Sequence, residues 1–292
     1  MSSATAAVPG RRRPAARSFN PPWRDRGGRF VPIKAVVLFL VCLPALVLAY
    51  WAITRMLGGR PVMEAIYHSG LWAIRLLTIS LAITPLAAVL ALPRLLLVRR
   101  MVGVAAMAYA LLHLSLYVID ENFRLGFVAS EILHRFYLTI GFVTLLGLVT
   151  LGATSTDAAL RRLGANWKRL HRLAYGLILL AALHYFLQTK ANVSEAVMLT
   201  GFVVWLLAWR AAPAGAQRSA WIAAPLLVLA TAATMAIEFA WYATMTRIDP
   251  WRVLAVNETL RYGLRPAHIV ALAGAAVLAL ALTRRHLLPR LV

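Results

Sequence analysis

The stretches Gly103–Ile119, GVAAMAYALLHLSLYVI, and Leu173–Thr189, LAYGLILLAALHYFLQT, decide how this sequence folds. Each belongs to an apolar run of about the length that crosses a bilayer. Each carries one ionisable side chain well inside the run: His113 in the first, His184 in the second. An ionisable group at membrane depth is costly and needs a partner or a function. Neutral imidazole is also a common metal ligand. Two imidazoles at matching depth on neighbouring helices could hold a haem between them, one axial nitrogen from each side.

The rest of the chain supports a membrane setting. Of its 292 residues 61% are hydrophobic, and the formal net charge is +21. A soluble domain of that composition would expose large apolar patches. Nucleic-acid binding is excluded as the reason for the charge. The basic residues sit between apolar runs instead of forming a face with interleaved aromatics. Cys42 is the only cysteine. That rules out an intrachain disulfide, the C-x-x-C-H attachment of c-type haem and zinc sites built on two or four cysteines.

Eight spans follow from the hydropathy: Ala35–Ile53, Ser69–Leu92, Val102–Ile119, Phe136–Ala153, Leu170–Thr189, Asn192–Trp209, Ser219–Tyr242 and Pro266–Thr283. The sixth is the weakest, because Glu195 interrupts its start. The fold class is therefore all-α, a polytopic bundle in the lipid bilayer. Of the 31 Lys and Arg residues, 21 fall on one side of these spans, among them Arg11, Arg24, Lys34, Arg99, Arg100, Arg161, Arg162, Lys168, Arg169, Arg172, Arg210 and Arg284. Nine fall on the other side, and Arg75 lies within a span. The positive-inside rule makes the rich side cytoplasmic and places both termini there. Residues 1–32, rich in Ala, Pro, Arg and Ser, read as a disordered basic tail. Arg11-Arg12-Arg13 is a poor twin-arginine signal, because the apolar run starts about twenty residues later. No internal repeat stands out.

His113 lies 12 residues beyond Met101 and His184 lies 14 beyond Leu170, so both sit roughly 18–21 Å into the membrane at about 1.5 Å per residue. Gly103, Ala106 and Ala110 on one helix, with Gly176, Ala181 and Ala182 on the other, leave room for a macrocycle. Small residues also serve ordinary helix packing. His171 precedes His184 by 13 residues and falls at the cytoplasmic edge. Thirteen residues turn an ideal helix by about 220°, so the two share no stripe unless the helix bends. A second haem there would need a partner near Arg99 or Arg100, where no histidine stands. A mixed haem site, a flavin or quinone pocket and a plain interfacial position all remain open for His171. His68 and His134 fall in outer loops, where solvated histidine is the default; His268, near the outer mouth of the last span, and His286, in the cytoplasmic tail, are poor candidates for a ligand role. Arg75 could snorkel or pair with a haem propionate. Glu238 is placed to snorkel. The cluster Arg161, Arg162, Lys168, Arg169 and Arg172 could hold a flavin phosphate, although the positive-inside rule already accounts for it.

Five segments carry a resemblance: ITPL (Ile83–Leu86), RRMVGVAAMAYALLHLSLYV (Arg99–Val118), FYLTIG (Phe136–Gly141), TST (Thr154–Thr156) and LGANWKRLHRLAYGLILLAALHY (Leu163–Tyr185). In this order and spacing they resemble the MsrQ (YedZ) family of haem-binding membrane subunits, within the ferric-reductase-like transmembrane superfamily. The likeness covers roughly residues 33–210. It implies a six-helix core holding b-type haem in the bacterial inner membrane, with His113, His171 and His184 on the family's three motif histidines and iron as the bound metal. It implies electrons from the quinone pool or a flavin reductase, passed to MsrP, a periplasmic molybdopterin enzyme that reduces methionine sulfoxide in oxidised proteins. It also implies an association with FMN. The chain departs from the family in its basic tail and in two further helices within residues 211–292. A ferric reductase or b561-like cytochrome with another acceptor stays open, as does a non-redox transporter or anchor.

Overall fold

The computed structural model describes residues 21–25, 27–189 and 192–287. The expected tail over residues 1–20, Lys190, Arg290 and the side chains of Arg284, Arg285 and His286 lie outside the described part. Among the described residues the regular structure is helical, apart from one isolated bridge between Arg24 and Phe30.

The long helices are α1 (Pro32–Ile53), α2 (Pro61–Val89), α3 (Arg99–Asp120), α5 (Phe136–Ala153), α8 (Leu173–Gln188), α9 (Ser194–Ala211), α10 (Ala220–Met245) and α12 (Pro266–Leu287). Short helices fill the connections: α4 (Leu125–His134), α6 (Asp157–Leu163), α7 (Ala165–His171) and α11 (Pro250–Val256). Eight segments are long and apolar enough to cross a membrane, α7 and α8 counting together as Ala165–Gln188. The chain is a multi-pass helical membrane protein.

Two boundaries differ instructively from the sequence pattern. The second span begins at Pro61, not Ser69. Proline is pre-organised for the first helical turn, and Glu64 in that turn suits the positive end of the helix dipole. His68 is therefore helical, with its ring against Trp51 and Tyr67, and not in a loop. His134 ends α4 and stays exposed. Glu195 does not disrupt α9; it sits in the first turn, where an acidic side chain is favoured.

Proline residues inside the spans show how the helices are fastened. Pro85 has no N–H to give to the carbonyl of Leu81, and in an apolar medium an orphaned carbonyl costs several kcal/mol. Arg210, near the end of α9, donates its guanidinium to that carbonyl and a second bond of 2.9 Å to Leu206 O. Beside Pro44 in α1, the Tyr109 hydroxyl of α3 donates to Val41 O at 2.9 Å and accepts from Ala45 N at 2.8 Å. The helix segments around both prolines thus become attachment points between helices.

The central helix is α2, the most buried of the spans. It packs most extensively on α3, while α5 packs on α8. These two pairs form the core that carries both histidines. α9 touches α2 and α8 on one side and α10 and α12 on the other. Glu238 in α10 does not snorkel; it is 1% exposed, ion-paired with Arg265 and bonded to Asn257 Nδ2 at 2.9 Å. The segment after α10 folds back over it, and His268 Nε2 holds Asn257 O at 2.8 Å. Burial is possible because this segment brings its own cation, which an isolated glutamate would lack.

Candidate functional site

α3 and α8 bring the imidazoles of His113 and His184 together, with ring centroids 6.3 Å apart and planes at 82°. Neither ring is free to turn. Nδ1 of His113 lies 2.8 Å from Ile66 O of α2, and Nδ1 of His184 lies 2.8 Å from Tyr137 O of α5. A carbonyl only accepts, so each Nδ1 carries the proton in the neutral ring and each Nε2 keeps a lone pair. Such a carbonyl contact is the usual support for a metal-binding imidazole.

Two glycines make this seating possible. A β carbon at Gly70 would stand 2.8 Å from His113 Nδ1, and one at Gly141 would stand 2.7 Å from His184 Cε1. Any larger residue would push the rings out of place. Both imidazoles are only half-buried although they sit well along their helices. A metal ion between two imidazoles, at metal–nitrogen distances of about 2 Å, separates the ring centroids by about 6 Å. The spacing, the tautomers and the glycine cradles therefore fit a bis-histidine haem. Among the described residues no group of three or more His, Cys, Asp and Glu could hold a metal ion by itself.

The two halves of the site repeat each other. Ile66, Gly70 and His113 precede Tyr137, Gly141 and His184 by the same 71 residues. Each histidine follows its carbonyl partner by 47 positions. The absence of a visible repeat in the sequence is corrected here. The repeat consists of one backbone carbonyl, one glycine and one histidine per half, and a carbonyl leaves no side-chain signature.

Arg75 is not brought to this pair. It follows Gly70 by five residues, which turns it about 140° around α2, towards α9. There it ion-pairs with Glu195, its Nε 2.8 Å from Oε1, and lies over the Trp72 ring at 5.0 Å. It neither snorkels nor faces the histidines. Arg75 also lines two apolar cavities, of about 440 and 690 Å³, that flank α2. The smaller is walled by Trp72, Phe202, Trp205 and Trp209. Glu195 was invisible as a partner because 120 residues separate the two.

His171 stays at the basic end. Gly164 takes φ +52, a conformation that side chains rarely adopt, and so turns α6 into α7. Trp167 then donates Nε1–H to Thr154 O at 2.9 Å and stacks on His171 with centroids 3.8 Å apart. This accounts for the Gly, Trp and His of LGANWKRLH. Nδ1 of His171 lies 3.0 Å from Trp167 O and Nε2 lies 3.3 Å from Ser155 Oγ. The helix tightens between α7 and α8, through three-residue bonds from Arg172 N to Arg169 O and from Tyr175 N to Arg172 O. Even so, His171 does not join the pair. The basic cluster Arg161, Arg162, Lys168, Arg169 and Arg172 is exposed.

Comparison with known proteins places the same region in context. The family described as ferric reductase like transmembrane component matches residues 69–182. A protein of Xanthomonas campestris pv. campestris, named protein-methionine-sulfoxide reductase heme-binding subunit MsrQ, is 43% identical over 155 residues, 53% of this chain and 71% of its own. A protein of the same name from Xanthomonas oryzae pv. oryzae is 42% identical over 156 residues, covering 53% and 72%. Another from Caulobacter vibrioides is 39% identical over 177 residues, covering 60% and 84%. No solved structure matches.

Proposed function

Because the chain belongs to the MsrQ family, we propose that it is the haem-binding subunit of a protein-methionine-sulfoxide reductase system and carries electrons across the inner membrane. The observation that carries this is the facing pair His113 and His184, each with Nδ1 tied to a backbone carbonyl and Nε2 left for iron. Bound there, b-type haem supplies a one-electron centre inside an apolar barrier. The protein's own part is to fix the two tautomers, to seat the rings on Gly70 and Gly141, and to exclude water with the packed α2–α3 and α5–α8 pairs.

Electrons enter on the cytoplasmic side, where both termini lie, from the quinone pool or a flavin reductase. The cavity beside Trp72, Phe202, Trp205 and Trp209, with Arg75 as its one charged group, suits the aromatic head of a quinone. FMN, if it takes part, would set its phosphate among Arg161, Arg162, Lys168, Arg169 and Arg172. The acceptor is a periplasmic molybdopterin subunit of the MsrP type. It uses two electrons and two protons to turn each methionine sulfoxide into methionine and water.

The test uses membrane vesicles holding the full chain, reduced from the cytoplasmic side. Adding MsrP with oxidised methionine should reoxidise the b-type absorbance, and neither should do so alone. An absorbance that ignores MsrP overturns the proposed acceptor.

A further inference from the structure

The first helix is held to the bundle in a way that leaves a gap beside it. Of the 22 residues of α1 only Val41, Pro44 and Leu48 are buried. Its middle is fixed to α3 through the Tyr109 hydroxyl. Beside that link lies the larger of the two cavities that flank α2, about 690 Å³, walled by α1, α2 and the start of α3. Along α1 its lining runs from Val37 to Trp51, 14 residues apart, or about 21 Å at 1.5 Å per residue. The apolar depth of one leaflet is about 15 Å. Leu40, Leu43 and Ile79 line the cavity and are 52%, 38% and 45% exposed, so it opens towards the bilayer.

The chemistry of the lining is sorted along this length. Val37, Leu86, Leu95 and Val98, towards the basic end of the bundle, are all apolar. The polar atoms gather at the opposite end, on Trp51, His68, Trp72 and Arg75. Tyr109 also lines the cavity, but its hydroxyl is engaged by α1. Each of the four side chains at the opposite end can donate: two indole N–H groups, an imidazole and a guanidinium. Arg75 gives Nε and Nη2 to Glu195, which leaves Nη1. His68 and Arg75 are seven residues apart, about two turns of α2, so they share one face of that helix.

We infer that this cavity seats one phospholipid of the bilayer, with a chain lying between α1 and α2 and head-group oxygens accepting from His68 and Arg75. An apolar cavity takes no water, and wall atoms that face a void lose their dispersion partners. A hydrocarbon chain supplies those partners. The donors suit any acceptor-rich head, the carbonyls of an isoprenoid quinone included. Phospholipid is the bulk of the bilayer, and mass action then gives it the site. Bound there, the lipid cements the sparsely buried α1 to α2 and α3. The histidine pair takes no part in this site, so the inference goes beyond the haem reading and stands apart from it.

The test measures the lipid that stays with the full-length chain after purification in enough detergent to strip loosely held lipid. A phosphate assay counts it, and mass spectrometry of the extract identifies it. The wild type should keep one phospholipid per chain. Leu43→Trp, which fills the cavity from α1, should keep almost none, while Leu46→Trp, on α1 but outside the lining, should keep one. His68→Ala should keep clearly less than the wild type. A wild type without phospholipid overturns the inference, as does Leu43→Trp that keeps as much. So does a retained molecule that is a quinone. His68→Ala that holds the lipid as tightly overturns the place given to the head group. If Leu43→Trp fails to insert, Leu40→Phe narrows the same cavity and the same comparison decides.

Discussion

Gly70 lies directly against the imidazole of His113, so close that a β carbon there would stand 2.8 Å from Nδ1. Gly141 stands in the same relation to His184. Alanine at either position should improve the helix by up to about 1 kcal/mol on propensity alone. Gly70→Ala and Gly141→Ala should nevertheless lower haem retention severalfold, because the ring must leave its carbonyl. Haem content after detergent extraction, compared with the amount of inserted protein, checks this; retention at the wild-type level counts against the cradle.

Arg210 is tied to the missing hydrogen bond of Pro85. Arg210→Ala should destabilise the protein by about 1–3 kcal/mol, the usual cost of an unpaired buried group. In a Pro85→Ala background the Leu81 carbonyl regains its helical partner, so the same substitution should cost clearly less. Thermal unfolding of the four proteins forms a double-mutant cycle; equal losses in both backgrounds would separate Arg210 from the proline.

Tyr109→Phe removes the hydroxyl that bridges Val41 O and Ala45 N. The expected effect is a loosening of α1 at a cost of about 1–3 kcal/mol. Hydrogen exchange should rise near Ala45 and stay unchanged in α5 and α8.

Asp25 gives a pH test outside the spans. The Arg29 amide donating to its Oδ1 holds the carboxyl below its ordinary value, and Gly27 adds a second bond. A depressed folded pKa gives stability that is present above the unfolded value of about 3.9 and is lost as pH falls through the folded one. Protection of the Gly27 and Arg29 amides should therefore hold at pH 5 and fade in stronger acid. Asp25→Asn should weaken it already at pH 5.

Much of this was legible in the sequence, for identifiable reasons. The bundle could be read because apolar runs of bilayer length leave few alternatives. The pair His113 and His184 could be read because ionisable groups inside such runs are rare. What escaped notice lay in the backbone or far along the chain. The carbonyls of Ile66 and Tyr137 have no side-chain signal, and Gly70 and Gly141 look like ordinary packing glycines. Glu195 looked like a flaw in a helix until Arg75 was beside it. Glu238 looked exposed because the loop that covers it folds back from residues 246–265.

The most direct test of the central claim is the reduced-minus-oxidised spectrum of the purified full-length chain beside His113→Ala and His184→Ala, all expressed with ample haem. The wild type should show a low-spin b-type signal, and each single variant should lose it. A wild type without that signal, or either variant keeping it unchanged, would contradict the account.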